Sequence, residues 1–243
     1  MKRCLLPFWG KRKLDIDMLV LHSVAMSPEE AVDVFKQFKV SCHYIIAEDG
    51  EIWQLTSQKR WAWHAGISRW RDMEDINSRS IGIEFCSKNL GQFCFSDAQK
   101  EAGIKLLHSL VDKYKIKSEN IVGHSDIAPA RKADPGKAFF WKELADEGIG
   151  IWYDIRDADK MFEDDVAKLL HIIGYDIKNL KAAAYAFCRH FYPERVCVVE
   201  DVWQIEKNVC LADDDLLIDS RFIKILKAVA YAYCNASNTP CKM

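Results

Sequence analysis

Residues 123–136 read GHSDIAPARKADPG, and three of them can do chemistry together: His124, Lys132 and Asp134. The histidine closes a short apolar run, Ile121-Val122-Gly123, and an irregular Pro/Ala stretch leads from it to the lysine and the aspartate, two positions apart. In extended chain, residues i and i+2 point to the same side, so Lys132 and Asp134 can enter one cavity beside His124. An imidazole nitrogen and a carboxylate oxygen are both good Zn²⁺ ligands, and a neighbouring ammonium can hold developing negative charge. That set is half of a catalytic metal site; the remainder must come from elsewhere in the chain.

Two upstream segments can supply it. His22 follows the apolar run Met18-Leu19-Val20-Leu21, a strand pattern that delivers a side chain to the rim of a sheet. In Ser80-Ile81-Gly82-Ile83-Glu84-Phe85 the large apolar residues alternate with Gly82 and Glu84, so the carboxylate lies on the face opposite the isoleucines. Packing explains a carboxylate on a glycine-dominated strand face poorly. Three ligands with an open fourth position, with a glutamate and a lysine beside them, make up a site for metal-assisted hydrolysis.

The elements that position these residues can be read from pattern. Residues 18–21 read as a strand and 28–38 as a helix with Ala31, Val34, Phe35 and Phe38 at helical spacing. Residues 43–47 and 51–55 flank Glu48-Asp49-Gly50, a hairpin turn signal. Residues 80–85 form another strand, and Ser96 caps a long helix over 97–114 with Ile104, Leu107, His108 and Val111 on one stripe. Residues 121–123 form the last strand and 139–144 a short helix. The alternation predicts an α/β fold: a central mixed β-sheet flanked by helices, with a zinc site at the sheet rim.

Around 147–160 the composition turns rich in Gly and Asp, and helical patterns follow over 162–173, 178–192 and 216–234. This predicts a catalytic domain over 1–150, with its core at 14–146, and a small all-α domain over 155–243.

The ordered segments LVLHSVA (19–25), SCHYIIAEDGEIWQL (41–55), RWAWHAGISRW (60–70), NSRSIGIEF (77–85) and GHSDIAPARKADPG carry a resemblance. Residues 14–141 resemble the zinc-dependent N-acetylmuramoyl-L-alanine amidases of type 2, in particular the bacterial muropeptide amidases, which are related to T7-type lysozyme and to peptidoglycan-recognition proteins. The resemblance implies zinc held by His22, His124 and Asp134, with Glu84 as catalytic acid/base and Lys132 as partner of the transition state. It implies peptidoglycan or a muropeptide as substrate, cut between N-acetylmuramic acid and L-alanine. The alternative is a recognition protein that binds muropeptide without cutting it. The stretch LLHIIGYDIKN (169–179) and the helix after it are similar to the opening of three-helix peptidoglycan-binding modules. Residues 195–215 lack the glycine-rich polar loop expected there, so glycan binding and a purely stabilising helical cap both remain open.

Other residues carry two readings each. His43, His64, Trp63 and Asn77 either line the substrate cleft or serve structural hydrogen bonding and packing. Trp61 and Trp70 either extend an aromatic wall with Trp63 or pack as a cluster. Asp126 either orients a ligand or starts a turn. His108, His171 and His190 read as ordinary helix residues.

Composition bounds the rest. Of 243 residues, 49% are hydrophobic and 29% charged, ordinary values for a globular chain. A formal net charge of −2 argues against a nucleic-acid partner, and no apolar run reaches transmembrane length. The nine cysteines form no CxxC pair and are odd in number, which fits buried free thiols better than a disulfide framework. The opening MKRCLLPFWGKRK lacks a full apolar core and a small-x-small cleavage site. These features favour a cytoplasmic location, with the periplasm or cell envelope as the alternative.

Overall fold

A computed structural model describes residues 1–87, 91, 93–196 and 218–237. Its central sheet has six strands in the order β1-β5-β4-β7-β3-β8. They are β1 (Lys2–Arg3), β3 (Met18–Val24), β4 (Tyr44–Ile46), β5 (Ile52–Gln54), β7 (Ser80–Cys86) and β8 (Ile121–Gly123). The hairpin β4/β5 is antiparallel and every other pairing is parallel, so the sheet is mixed, as the sequence pattern implied. A separate antiparallel pair joins β2 (Trp9–Lys11) to β6 (Arg60–Ala62).

Period-two alternation sorts the central strands onto two faces. On one face Leu19, Leu21, Ile81, Ile83, Phe85 and Ile121 pack under Leu107 and Leu110 of α3 (Asp97–Tyr114). On the other, Met18, Val20 and Val122 join one apolar cluster with three C-terminal helices. These are α6 (Val166–Ile173), α7 (Leu180–Phe191) and α8 (Ser220–Ala236). Alternation carries the same face on to His22, Gly82 and Glu84, where a cleft replaces the helices. The sheet thus has one buried face and one that is half covered and half open.

Several elements differ from expectation for identifiable reasons. Strand β3 does not stop at Leu21 but runs to Val24, because β7 pairs with it throughout and sets His22 opposite Glu84. Helix α1 (Pro28–Phe38) begins at a Ser27/Glu30 capping box and buries Ala31, Val32 and Phe35 against the hairpin, leaving Phe38 66% exposed. In α3 the buried stripe is Gln99, Gly103, Leu107 and Leu110, so His108 faces solvent; Gln99 Nε2 donates to the carbonyls of Ile46 and Cys86. Phe139 and Phe140 pack onto the sheet instead of entering a helix, which starts at Trp141 as α5 (Trp141–Asp146). The C-terminal helices start later than their apolar patterns because Asp165, Asn179 and Asp219 cap them. Residues 197–217, which include most of the segment lacking a polar loop, lie outside the described residues.

Arg12 joins the β2/β6 pair to the sheet. Its guanidinium donates to the carbonyls of Gln58 (3.2 Å), Ser78 (2.6 Å), Arg60 (2.8 Å) and Ser80 (3.1 Å). Burial pushes its pKa down to about 10, which leaves it charged at neutral pH. Arg12→Leu is expected to lower stability by about 2–4 kcal/mol, because charge-assisted bonds are lost and acceptors are stranded. The unfolding midpoint in urea checks this. Arg12→Lys should recover little, since a point ammonium cannot serve carbonyls spread around a planar fork.

Candidate metal centre and catalytic cleft

Three side chains from three parts of the chain converge at the open end of the half-covered face. His22 comes from β3, His124 opens the short helix α4 (His124–Ile127), and Asp134 comes from the loop after it. His22 Nδ1 lies 3.0 Å from His124 Nδ1, and each lies 3.1 Å from Asp134 Oδ2. Ligand atoms about 2.0–2.1 Å from a tetrahedral ion stand roughly 3.3 Å apart, close to these edges. All three residues are buried, and they form a group able to hold a metal ion.

Hydrogen bonding on the far side of each ring decides which nitrogen carries the proton. His124 Nε2 lies 3.2 Å from the Ala65 carbonyl, which can only accept, so Nε2 is N–H and Nδ1 keeps its lone pair. For His22 the argument runs through a chain. The Ser80 hydroxyl donates to the Ile76 carbonyl (2.6 Å), so its oxygen accepts from His64 Nε2 (3.1 Å). His64 Nδ1 is then the acceptor for His22 Nε2–H (3.1 Å), and His22 Nδ1 is a lone pair as well. Two imidazole lone pairs and a carboxylate oxygen therefore point at one another. Such an arrangement is repulsive unless a cation sits among them, and the donor set suits zinc.

The electrostatics agree. Burial, helped by His124, pushes the His22 pKa down to about 4, which keeps the ring neutral. Burial works to raise Asp134, but its closeness to His124 and His22 holds it well below the usual carboxylate range, so it is the anionic member of the group. Glu84 Oε1 stands 3.9 Å from His22 Nδ1, beside the triangle and outside it. Burial and the Asp134 charge push Glu84 up to about 8, against the pull of Lys132.

A cleft of about 450 Å³ opens over this group and is lined by His22, Trp63, His64, Glu84, Lys132 and Asp134 among others, with Met26 and Phe35 on its apolar side. The five residues read as reactive from the sequence are thus brought together. His64 takes part as the prop behind His22. Asn77 and His43 lie beneath the cleft. Asn77 Oδ1 accepts from the backbone N–H of His64 (3.0 Å) and Ala65 (2.9 Å), clasping the turn that carries both. His43 is fully buried; Gly82 N–H donates to its Nδ1 (3.0 Å), so its Nε2–H faces the Arg60 carbonyl (3.0 Å). Trp63 stands at the rim in edge contact with Trp61, whereas Trp70 is wholly buried and donates to the Glu119 carbonyl.

Asp126 sits in the first turn of α4, in keeping with one of its two readings, and accepts from Gly123 N–H (2.7 Å), Tyr175 O–H and His190. One reading needs correction. His190 is therefore no ordinary helix residue but a buried partner of that carboxylate. Ser80 and Arg12 also support the site, and sequence pattern alone assigns neither a role. Ser80 had a signal, since it shares the strand face of Gly82 and Glu84, but Arg12 bonds mostly to backbone, which leaves no trace in sequence.

Gly82 is what allows the prop to exist. A Cβ there would lie 2.4 Å from His64 Cγ and 2.5 Å from Nδ1, so the imidazole rests directly on the strand backbone. Gly82→Ala is expected to displace His64 and weaken metal binding by about 10–100-fold, the usual cost of losing a partner behind a ligand. Competition with a chromophoric chelator measures it, and His64→Phe should reproduce the loss.

Relatives share this architecture. Residues 12–137, just over half the chain, match the N-acetylmuramoyl-L-alanine amidase family. The N-acetylmuramoyl-L-alanine amidase AmiD of Escherichia coli is 35% identical over 208 residues, covering 73% of this chain and 75% of its own. The 1,6-anhydro-N-acetylmuramyl-L-alanine amidase AmpD of the same organism is 42% identical over 103 residues, 42% of this chain and 55% of its own. Among solved structures, AmiD in complex with the substrate anhydro-N-acetylmuramic acid-L-Ala-D-γ-Glu-L-Lys superposes with a TM-score of 0.71 at 31% identity, covering 90% of this chain and 89% of that one. AmpDh3 of Pseudomonas aeruginosa superposes with a TM-score of 0.72 at 27% identity, covering 93% of each. The chain belongs to the N-acetylmuramoyl-L-alanine amidase family.

Proposed function

We propose that this amidase hydrolyses the bond between N-acetylmuramic acid and the L-alanine of the stem peptide, in peptidoglycan or in muropeptide fragments released from it. The observation that carries the reading is the convergence of two imidazole lone pairs and a carboxylate on the floor of a cleft that also presents Glu84 and Lys132. Solved relatives support the substrate class: AmiD is complexed with a muramyl tripeptide and AmpDh3 with an anhydromuramic pentapeptide.

His22, His124 and Asp134 would hold zinc. When bound, the metal supplies a Lewis acid that polarises a carbonyl and makes water acidic near neutral pH. Glu84, whose ionised form a bound cation beside it would favour, takes a proton from the water as its oxygen adds to the lactyl carbonyl carbon, then returns that proton to the alanine nitrogen as the C–N bond breaks. The Lys132 ammonium faces the same space and holds the charge that gathers on the carbonyl oxygen. Trp63 offers a ring at the rim against which a sugar can pack. The products are a free stem peptide and the muramyl sugar acid.

The likeness to AmiD and AmpDh3 runs through most of the chain, which supports a catalytic region over 1–150 joined to a helical region from 155. Among the described residues no helix is long and apolar enough to cross a membrane. The buried thiols of Cys42, Cys86 and Cys188, each pushed up in pKa chiefly by burial, support a reducing compartment such as the cytoplasm.

Mass spectrometry of a defined muropeptide after incubation with zinc-replete protein tests the reaction, and an intact substrate would sink it. One zinc per chain is expected; removing it with a chelator should abolish turnover, and added zinc should restore it. His124→Ala should lose both metal and activity. Glu84→Gln should keep the metal while turnover falls by about 10²–10⁴-fold, the usual share of general acid–base catalysis.

A further inference from the structure

Asp126 takes no part in the reaction, yet it is 1% exposed and surrounded by donors. Its Oδ2 accepts from Gly123 N–H at 2.7 Å and lies 2.8 Å from His190 Nδ1, while Oδ1 accepts the Tyr175 hydroxyl at 2.8 Å. His190 is itself buried, with its ring stacked on Trp141 at 3.8 Å and on Phe191 at 3.9 Å between centroids. A carboxylate in such surroundings is tolerable only while its donors stay in place. Tyr175 follows α6 and His190 lies in α7, so two of the three donors belong to the C-terminal helices. The third is the N–H immediately before His124, and Asp126 occupies the first turn of α4, which His124 opens.

The other support of His124 is tied to the same helices. Its Nε2 rests on the Ala65 carbonyl, in the segment that continues to Trp70 and Arg71. Arg71 N–H donates to the Gly174 carbonyl at the end of α6 (2.7 Å), and the Trp70 ring meets Tyr175 edge-on. Both the backbone that carries His124 and the carbonyl that orients its ring are thus braced from the C-terminal side.

We infer that Asp126, Tyr175 and His190 form a lock through which the C-terminal helices hold His124 in its ligating position, making the three side chains positioning residues of the amidase site. The inference rests on His124 being a metal ligand, as proposed above. It gives the helices a task inside the catalytic centre, whatever they do at the polymer surface.

The test uses the full chain. His190→Leu keeps an apolar side chain between Trp141 and Phe191 but removes the donor to Asp126. It is expected to weaken Zn²⁺ binding about 10-fold and to lower kcat on a muramyl-L-alanyl peptide with KM unchanged. It should also speed hydrogen exchange at the Gly123 amide in metal-free protein. His190→Asn, whose amide N–H can occupy the position of Nδ1–H, should restore zinc affinity most of the way. If His190→Leu binds Zn²⁺ and turns over like the parent, even while melting earlier, the lock is refuted. Should His190→Leu fail to fold, Tyr175→Phe removes a single hydroxyl and must show weaker zinc binding and faster Gly123 exchange; parental values there refute it equally. His124→Ala, run in parallel, separates the two layers: zinc retained by that variant overturns the ligand assignment itself.

Discussion

Three atoms carrying lone pairs, held within about 3 Å of one another in a buried place, repel unless positive charge lies among them. Around that constraint most of the fold can be understood. Each imidazole must be turned so that its proton faces away from the centre, and each therefore needs an acceptor behind it. For His124 the acceptor is a backbone carbonyl; for His22 it is a second histidine, which in turn needs Ser80 and a carbonyl. The second histidine needs a strand with no side chain beneath it, hence Gly82. A requirement at the centre thus propagates outward through two side chains, His64 and Ser80, before it ends on main chain.

The sheet supplies the rigidity that such positioning demands. Strand β3 is paired on both sides, by β7 and β8, so His22 cannot shift along the chain without breaking two parallel ladders. His22 and Glu84 stand directly opposite each other in register, which fixes the separation between the proposed metal ligand and the proposed acid/base by backbone hydrogen bonding. The face that carries them is apolar at its other end, where Met18, Val20 and Val122 meet the C-terminal helices. Burial at one end of the strands thus stiffens the chemistry at the other.

The reactive residues were legible in sequence because their types are costly to place without reason: a histidine ending an apolar run, a glutamate alternating with glycine, an aspartate and a lysine after a second histidine. The hairpin at Gly50 and the long helix from Ser96 were legible because their turn and cap are local. What escaped reading depends on partners far apart in the chain. Asp126 and His190 are separated by 64 positions, and neither residue carries a local sign of the other. Arg12 bonds to four carbonyls, and a carbonyl is the same at every position. The buried stripe of α1 differs from its sequence pattern because Phe38 fits the helical period as well as Val32 does, and only the hairpin beneath selects between them. Sequence leaves His64 open between lining the cleft and structural hydrogen bonding, and its task, holding another histidine, follows from tautomers that only geometry reveals.

The direction of the bonds through His22, His64 and Ser80 has a further consequence. Every member of that series donates outward, away from the centre, and the last hydrogen is given to the carbonyl of Ile76. A row of imidazoles beside a reacting centre would ordinarily offer a path for proton leakage, since each ring can accept on one side and release on the other. Here the far end is an amide oxygen that cannot take the proton away, so the series is a dead end for charge movement. Protons exchanged at the proposed site would therefore pass by the mouth of the cleft, beside Glu84, and the rings of His22 and His64 act as a strut instead of a wire.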